Sequence, residues 1–223
     1  SWGGTCIEAW TPQEALAAIP SGQELIAQYK EKAAAYDTDA AKKKDEERLE
    51  WWEKKRKAAK EAGERPPRKP RPSVHPDNDQ NGPSRLYNAM IAPLVPFAIR
   101  GAIWYQGERN ANAVKDAYDY RFELAAKITS WRATWGQGDF PYLFVQLPNF
   151  GGKAADALAL DRESMLKTMQ ATPNTGMAIT IDVGDTKDIH PKNKQAVGER
   201  LGIAARHLAY AEDIVPFGPI HTS

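Results

Sequence analysis

The chain has 223 residues, 42% of them hydrophobic, which allows one sizeable core or one core with an appendage. Its formal net charge of +1 gives the whole molecule no electrostatic bias toward nucleic acid or an anionic membrane. A lone cysteine, Cys6, excludes an internal disulfide and a cysteine-based zinc site, and no apolar run reaches the ~20 residues of a transmembrane helix.

From the N-terminus, Trp2-Gly3-Gly4-Thr5 offers a Gly-Gly turn whose bare backbone N–H groups suit an anion or oxyanion. An opening on Ser1 rather than Met reads as a processed or truncated piece. Thr11-Pro12-Gln13-Glu14 has the form of a capping box with Pro at the first helical position, so it predicts a helix capped by the Thr11 hydroxyl. From about Ile26 to Gly63, a composition of Ala, Lys and Glu predicts one long charged helix. Between Lys42 and Pro72 there are 13 Lys or Arg against 7 Asp or Glu, a local excess of six. Trp51 and Trp52 are expected to dock this helix onto the body, and Pro66, Pro67, Pro70 and Pro72 to end it in an extended return toward Pro83. Residues 26–83 therefore read as a solvated helical insertion, the alternative being a basic arm for nucleic acid or an anionic glycan.

After Pro83 the pattern is that of a compact α/β domain. Leu86 to Leu94 predicts a helical segment ending at Pro93, and the apolar run from Ala98 to Tyr105 a buried strand. Ala117 to Trp135 is amphipathic, with Tyr120, Leu124, Ile128 and Trp131 along one face. A second buried strand is expected over Phe140–Leu147 and a helix over Asp161–Ala171, with its exit at Thr175-Gly176. A third strand follows over Met177–Val183, then a closing helix over Lys194–Tyr210. This alternation argues a parallel sheet covered on both faces.

Two stretches carry chemistry. The first strand runs into Gln106-Gly107-Glu108-Arg109-Asn110, amide and carboxylate side chains around a glycine, the usual build of a site at the carboxyl edge of an α/β sheet. The third strand runs into Asp182-Val183-Gly184-Asp185-Thr186-Lys187-Asp188-Ile189-His190-Pro191. A histidine two residues beyond an aspartate, in a loop after a strand, fits a general base with its orienting acid. His75, His207 and His221 have no comparable setting, and the four histidines lack metal-ligand spacing, so no metal and no cofactor is expected.

Taken in order, SWGGTxIEAW, GAIWYQGExNA and IDxGDxxDIHPxNKQxVGxRL closely resemble the sialate O-acetylesterase family of SGNH-type serine esterases. Supporting phrases are LYNAMIAPL, WRxxWGQGDFPYLFVQL and PNTGMAITID, so the resemblance covers about Ser1–Trp10 and Leu86–Pro219. It implies a flavodoxin-like three-layer α/β/α sandwich over 1–25 and 84–223, with 26–83 inserted. It also implies removal of O-acetyl groups from sugars by acyl transfer to a serine. By this resemblance His190 is the catalytic histidine and Asp188 its acid, with Asp182 and Asp185 close by in sequence. Gly3 or Gly4 supplies an oxyanion-hole N–H, and the Gln106-Gly107-Glu108 and Asn110 block the side-chain amide that completes the hole. Arg109 stands where family members often have Ser.

The family's nucleophile lies in a Gly-Gln-Ser-Asn-Met-like segment after the first strand, and no such segment occurs here. Ser1, Ser21, Ser73, Ser84, Ser130, Ser164 and Ser223 all lack the sharp-turn context of a nucleophilic serine. The expectation is thus a carbohydrate O-acetylesterase lacking its nucleophile segment and first strand, with an exposed sheet edge in consequence. It would meet an acetylated carbohydrate, without nucleic acid or membrane, in a secreted or periplasmic setting. The alternative is a non-catalytic glycan- or partner-binding protein on an esterase scaffold.

Overall fold

The computed structural model describes residues 2–151 and 155–219; Ser1, His221 and Ser223 lie outside them. Three parallel strands, β1 (Ala102–Trp104), β2 (Tyr142–Val145) and β3 (Thr175–Ala178), form one sheet in the order β1-β2-β3. Trp104 pairs with Phe144, and Val145 with Ala178, so all three strands end at one edge. Helices α4 (Val114–Trp135) and α5 (Ala155–Ala171) connect them, and α6 (Lys194–Tyr210) closes the chain.

Side-chain alternation along β2 divides the core into two layers. Tyr142 and Phe144 point into the cluster built from Trp104, the α4 residues Tyr120, Leu124, Ile128 and Trp131, and the α5 residues Leu158 and Met165. Val145 points the other way, onto Ala178 and the α6 residue Val197. Gly176 leaves room for Leu143 and Leu208 on that side, where an added Cβ would come within 2.9 and 3.1 Å of them. The expected α/β/α layering is present, and the predicted faces of α4 and bounds of α6 match. At the amino edge the buried Arg132 guanidinium donates to the carbonyls of Phe140, Pro173 and Asn174, holding the starts of β2 and β3 together.

Several local expectations are corrected. β1 is an edge strand rather than a buried one: among the described residues nothing pairs with its outer side, and Ile103 is 65% exposed. β3 begins at Thr175, earlier than predicted, because Gly176 can pack under α6; Ile181–Val183 forms a 3-10 turn instead. Thr11 does not cap α1 (Gln13–Ala17), since its hydroxyl donates back to the Ile7 carbonyl. The segment after Tyr87 is a π-helical turn, Tyr87–Ile91, followed by a 3-10 turn, Ala92–Leu94.

The charged segment is two helices, α2 (Pro20–Ala34) and α3 (Thr38–Glu61). Asp37 restarts the helix by accepting from the N–H groups of Asp39 and Ala40 at 2.9 and 3.0 Å. α3 buries no residue. The tryptophans do not dock it onto the body: Trp51 is exposed, and Trp52 donates its indole N–H to the Pro67 carbonyl at 2.8 Å. Trp52 thus packs α3 against its own Pro-rich return, between Arg56 and Lys69.

Lys127 is fully buried on α4, over the face of Trp104 and beside Trp131 and Tyr142, with its Nζ donating to the Tyr142 hydroxyl. Ring faces return about 2 kcal/mol to a desolvated cation, whereas burying an ammonium without a carboxylate costs several kcal/mol. Desolvation wins, and burial holds the amine well below its ordinary value. An unfolded chain then binds more protons than the folded one between the two values, so stability rises with pH through that window. Lys127→Met is expected to raise the melting temperature at pH 7 by several degrees, at roughly 2–4 °C per kcal/mol for this size. The gain should shrink as pH approaches 10; a variant that melts lower at pH 7 would refute the assignment.

Candidate active site

The carboxyl edge of the sheet gathers the ends of all three strands. Gln106, just past β1, is 7% exposed and its side-chain amide is fully engaged. Its Nε2 donates to the Thr5 carbonyl and to Asn110 Oδ1, each at 2.9 Å, and its Oε1 accepts from the Tyr120 hydroxyl at 3.0 Å. Tyr120 in turn accepts from the Trp104 indole. Asn110 Oδ1 also accepts from the Ile7 N–H, and its Nδ2 donates to Glu8 Oε2 at 3.0 Å. Two segments about a hundred residues apart are therefore joined through amide side chains.

That junction carries the glycine turn. Thr5 Oγ1 donates to the Trp2 carbonyl and accepts from the Trp10 indole, fixing the turn's base. Gly4 has φ +72°, in the region glycine adopts most cheaply, and both Gly3 and Gly4 stand open, with no atom within 4 Å of an added Cβ. Both glycines are exposed, and neither backbone N–H donates to another described residue, whereas both amide hydrogens of Gln106 are already engaged.

Gly107 has φ +154°, and a Cβ there would meet Met165, Asp161 Oδ2 and Leu147 at 3.0–3.1 Å. Asp161, on α5 behind this turn, is 0% exposed, and neither carboxylate oxygen has a hydrogen-bond partner. Burial, with Glu108 nearby, pushes its carboxyl well above the usual range, against the weaker pull of Arg162. Burial and Glu108 likewise push the Tyr105 phenol up to about 12.

Past β3 the three aspartates separate. Asp182 is held by Arg200 of α6, with Nη1 and Nη2 at 2.7 and 2.6 Å, and Asp185 accepts from the Lys187 N–H at 2.8 Å. Asp188 Oδ1 meets both the backbone N–H of His190 at 2.9 Å and its ring Nδ1 at 3.0 Å. These two contacts hold the Asp188 carboxyl below its ordinary value. Asp188 thus fixes the ring and leaves Nε2 outward, the His190 side chain being 73% exposed. The loop is braced by the Gly151 N–H on the Thr186 carbonyl and by Gly184 against the Asn149 backbone, while Ile189 packs on the main core.

The structure thus brings Thr5, Gln106 and Asn110 into one hydrogen-bonded assembly, with Gly3 and Gly4 in the turn just before Thr5 and Gly107 and Glu108 between the two amides. The Asp188–His190 pair lies at the same sheet edge, joined to it through packing rather than hydrogen bonds. Thr5, Tyr120 and Asp161 were missed, each having the sequence signature of an ordinary turn, core or helix-start residue. None of the described serines bonds His190: Ser164 donates to Ala117, Ser130 to Lys127 and Ser73 to Asp45. Cys6 offers no substitute, because burial and Glu8 push its thiol up. Among the described residues no group of three or more His, Cys, Asp or Glu is placed to hold a metal ion, and no helix is long and apolar enough to cross a membrane.

The sheet carries a histidine–aspartate pair and a glycine turn at its carboxyl edge, and comparison with known proteins specifies the family. The family model for carbohydrate esterases described as sialic acid-specific acetylesterases matches residues 77–207, and the chain belongs to that family. Among curated relatives it is 33% identical to the mouse (Mus musculus) sialate O-acetylesterase over 246 residues, covering 99% of this chain and 40% of that protein. It is 35% identical to the human (Homo sapiens) sialate O-acetylesterase over 173 residues, covering 68% of this chain and 33% of that one. The crystal structure of a carbohydrate acetylesterase from Xanthomonas citri superposes with a TM-score of 0.63 at 47% identity, over 67% of this chain and 35% of the other. The chain thus spans at most 40% of the length of these relatives.

The buried Asp161 carboxyl makes a measurable prediction. Its folded-state value lies above the unfolded one, so its contribution is present at acid pH and declines as pH rises through the folded value. Asp161→Asn is expected to melt a few degrees above the parent at pH 8 and alike at pH 4. Parallel melting curves across that range would show that Asp161 is ionised and partnered.

Proposed function

We propose that this chain forms part of a carbohydrate O-acetylesterase that cleaves acetyl esters on sugars by acyl transfer to a serine. The Asp188–His190 contact carries this reading. With Nδ1 committed to Asp188, the tautomer that leaves Nε2 free to take a proton is the favoured one. In this mechanism Nε2 removes the proton from a serine hydroxyl as its oxygen attacks the acetyl carbonyl. It then returns that proton to the departing sugar oxygen, and a water repeats the sequence to release acetate.

The oxyanion of each tetrahedral intermediate is best served by the Gly3–Gly4 turn, whose N–H groups are open. Loss of one such donor typically costs on the order of a hundredfold or more in rate. Gln106 and Asn110 act here by holding that turn, since Gln106 already donates to Thr5 and Asn110. Residues 1–25 and 84–223 make up the esterase portion, and 26–83 an insertion. Because no described serine hydrogen-bonds His190, the nucleophile is taken to come from outside the described residues. The substrate class, acetylated glycans, follows from the family, and the secreted or periplasmic setting from where such glycans occur.

A serine-directed fluorophosphonate with intact-mass readout tests this. Residues 1–223 should stay unlabelled, and the complete gene product should gain one adduct that His190→Ala slows by at least about a thousandfold. Labelling of the 223-residue chain itself would assign the nucleophile to one of its own serines. No labelling of either would end the esterase reading.

A further inference from the structure

The arm formed by α3 and its return is a built object rather than a loose helix. Asp45 accepts from the Ser73 backbone N–H at 2.6 Å and from its hydroxyl at 2.8 Å; Arg48 donates to the Arg71 carbonyl at 3.0 Å, and Trp52 to Pro67. Partners rise along the helix as they fall along the return, so the two run antiparallel. A groove of about 210 Å³ between them is lined by Arg48, Leu49, Lys69, Pro70 and Arg71 among others. At the base, Tyr36 stacks edge-on against His75 at 4.8 Å and the Tyr29 hydroxyl donates to Asp79.

Charge is concentrated at the far end. Residues 54–71 hold nine Lys or Arg and two acids, Glu61 and Glu64, a net of +7 in a chain whose total is +1; the remainder is therefore −6. The ion pairs of α3, Lys42–Asp39 and Arg48–Asp45, both lie in its first half. Among the described residues none of the nine distal cations is in an ion pair. Trp51, 57% exposed, sits one turn before Lys54 and Lys55 on the same helix. Unpaired cations beside an exposed indole match a polymer that presents both negative groups and flat carbon faces.

We infer that the distal half of the arm, Trp51 to Arg71, is a binding surface for a carboxylated polysaccharide, separate from the esterase site. Lys54, Lys55, Arg65 and Arg68 contact its carboxylates, and Trp51 stacks on a sugar ring. Such a surface would hold the enzyme on acidic glycan while the carboxyl edge works on acetyl groups nearby. The choice of a polysaccharide over other polyanions rests on the proposed carbohydrate esterase function; the charge and the exposed indole do not.

Affinity electrophoresis of the intact chain in gels containing polygalacturonate tests this without any activity. Migration should be retarded at 50 mM salt and released by 500 mM, and neutral xylan should give no retardation. The combined change Lys54→Gln, Lys55→Gln, Arg65→Gln and Arg68→Gln should weaken binding about tenfold or more, four surface ion pairs each contributing modestly. Trp51→Ala should weaken it several-fold. All five positions are away from the core, and circular dichroism would verify that the variants fold. Unretarded migration in polygalacturonate, or retardation that the four changes leave intact, would overturn the proposal. Tighter binding to a DNA duplex at equal salt, with no effect of Trp51→Ala, would also overturn it and mark a nucleic-acid arm. Because none of these readouts uses ester hydrolysis, failure here leaves the fluorophosphonate result standing, and the reverse.

Discussion

The Gln106 amide is the constraint on which the carboxyl edge depends. Its hydrogen-bonding groups go to Thr5, Asn110 and Tyr120, so one side chain ties the N-terminal turn, the end of β1 and the face of α4. A glutamine suits this place because it donates twice and accepts, whereas a carboxylate could only accept. Buried at the end of a strand, it would be costly if any of those bonds were missing. The price of satisfying it is that its hydrogens are unavailable to substrate, which is why the proposed mechanism looks to the backbone of Gly3 and Gly4 for an oxyanion donor.

The two halves of the site are held by different physics. The Gln106 assembly is buried and spans about a hundred residues of sequence, while the Asp188–His190 contact is local, exposed and closed within three residues. The first is positioned by the fold. The second is positioned by a short turn in which one carboxylate oxygen captures both the backbone and the ring of the same residue, so its geometry survives modest movement of the loop around it. In the proposed mechanism this is a workable division, since a base must swing between two oxygens while oxyanion donors must not move.

Much of this was readable from residue order. The period of α4 identifies Tyr120, Leu124, Ile128 and Trp131 as core because a 3.6-residue repeat has few other meanings, and the helix expected over Lys194–Tyr210 has those bounds. Asp188 and His190 were legible because their contact is made between near neighbours. What could not be read depended on partners distant in sequence. Asp161 looks like an acid in the first turns of a helix and is in fact sealed behind Gly107. Trp52 looks like a body contact, and its partner turned out to be a carbonyl 15 residues further along the same arm. Composition predicted one helix where Asp37 makes two, because capping acts through a single side chain that averages conceal.

The pairing of Tyr36 with His75 has a consequence for the history of the arm. The chain leaves the body and returns to it at one point, so whatever lies between these rings is a closed loop hung from the domain. Closing such a loop costs chain entropy only logarithmically, about 0.6 kcal/mol for each doubling of length. Insertions and deletions there need not disturb the sheet. The arm can be lengthened, shortened or exchanged at little thermodynamic cost, which leaves it free to diverge at a pace the Gln106 assembly could not survive.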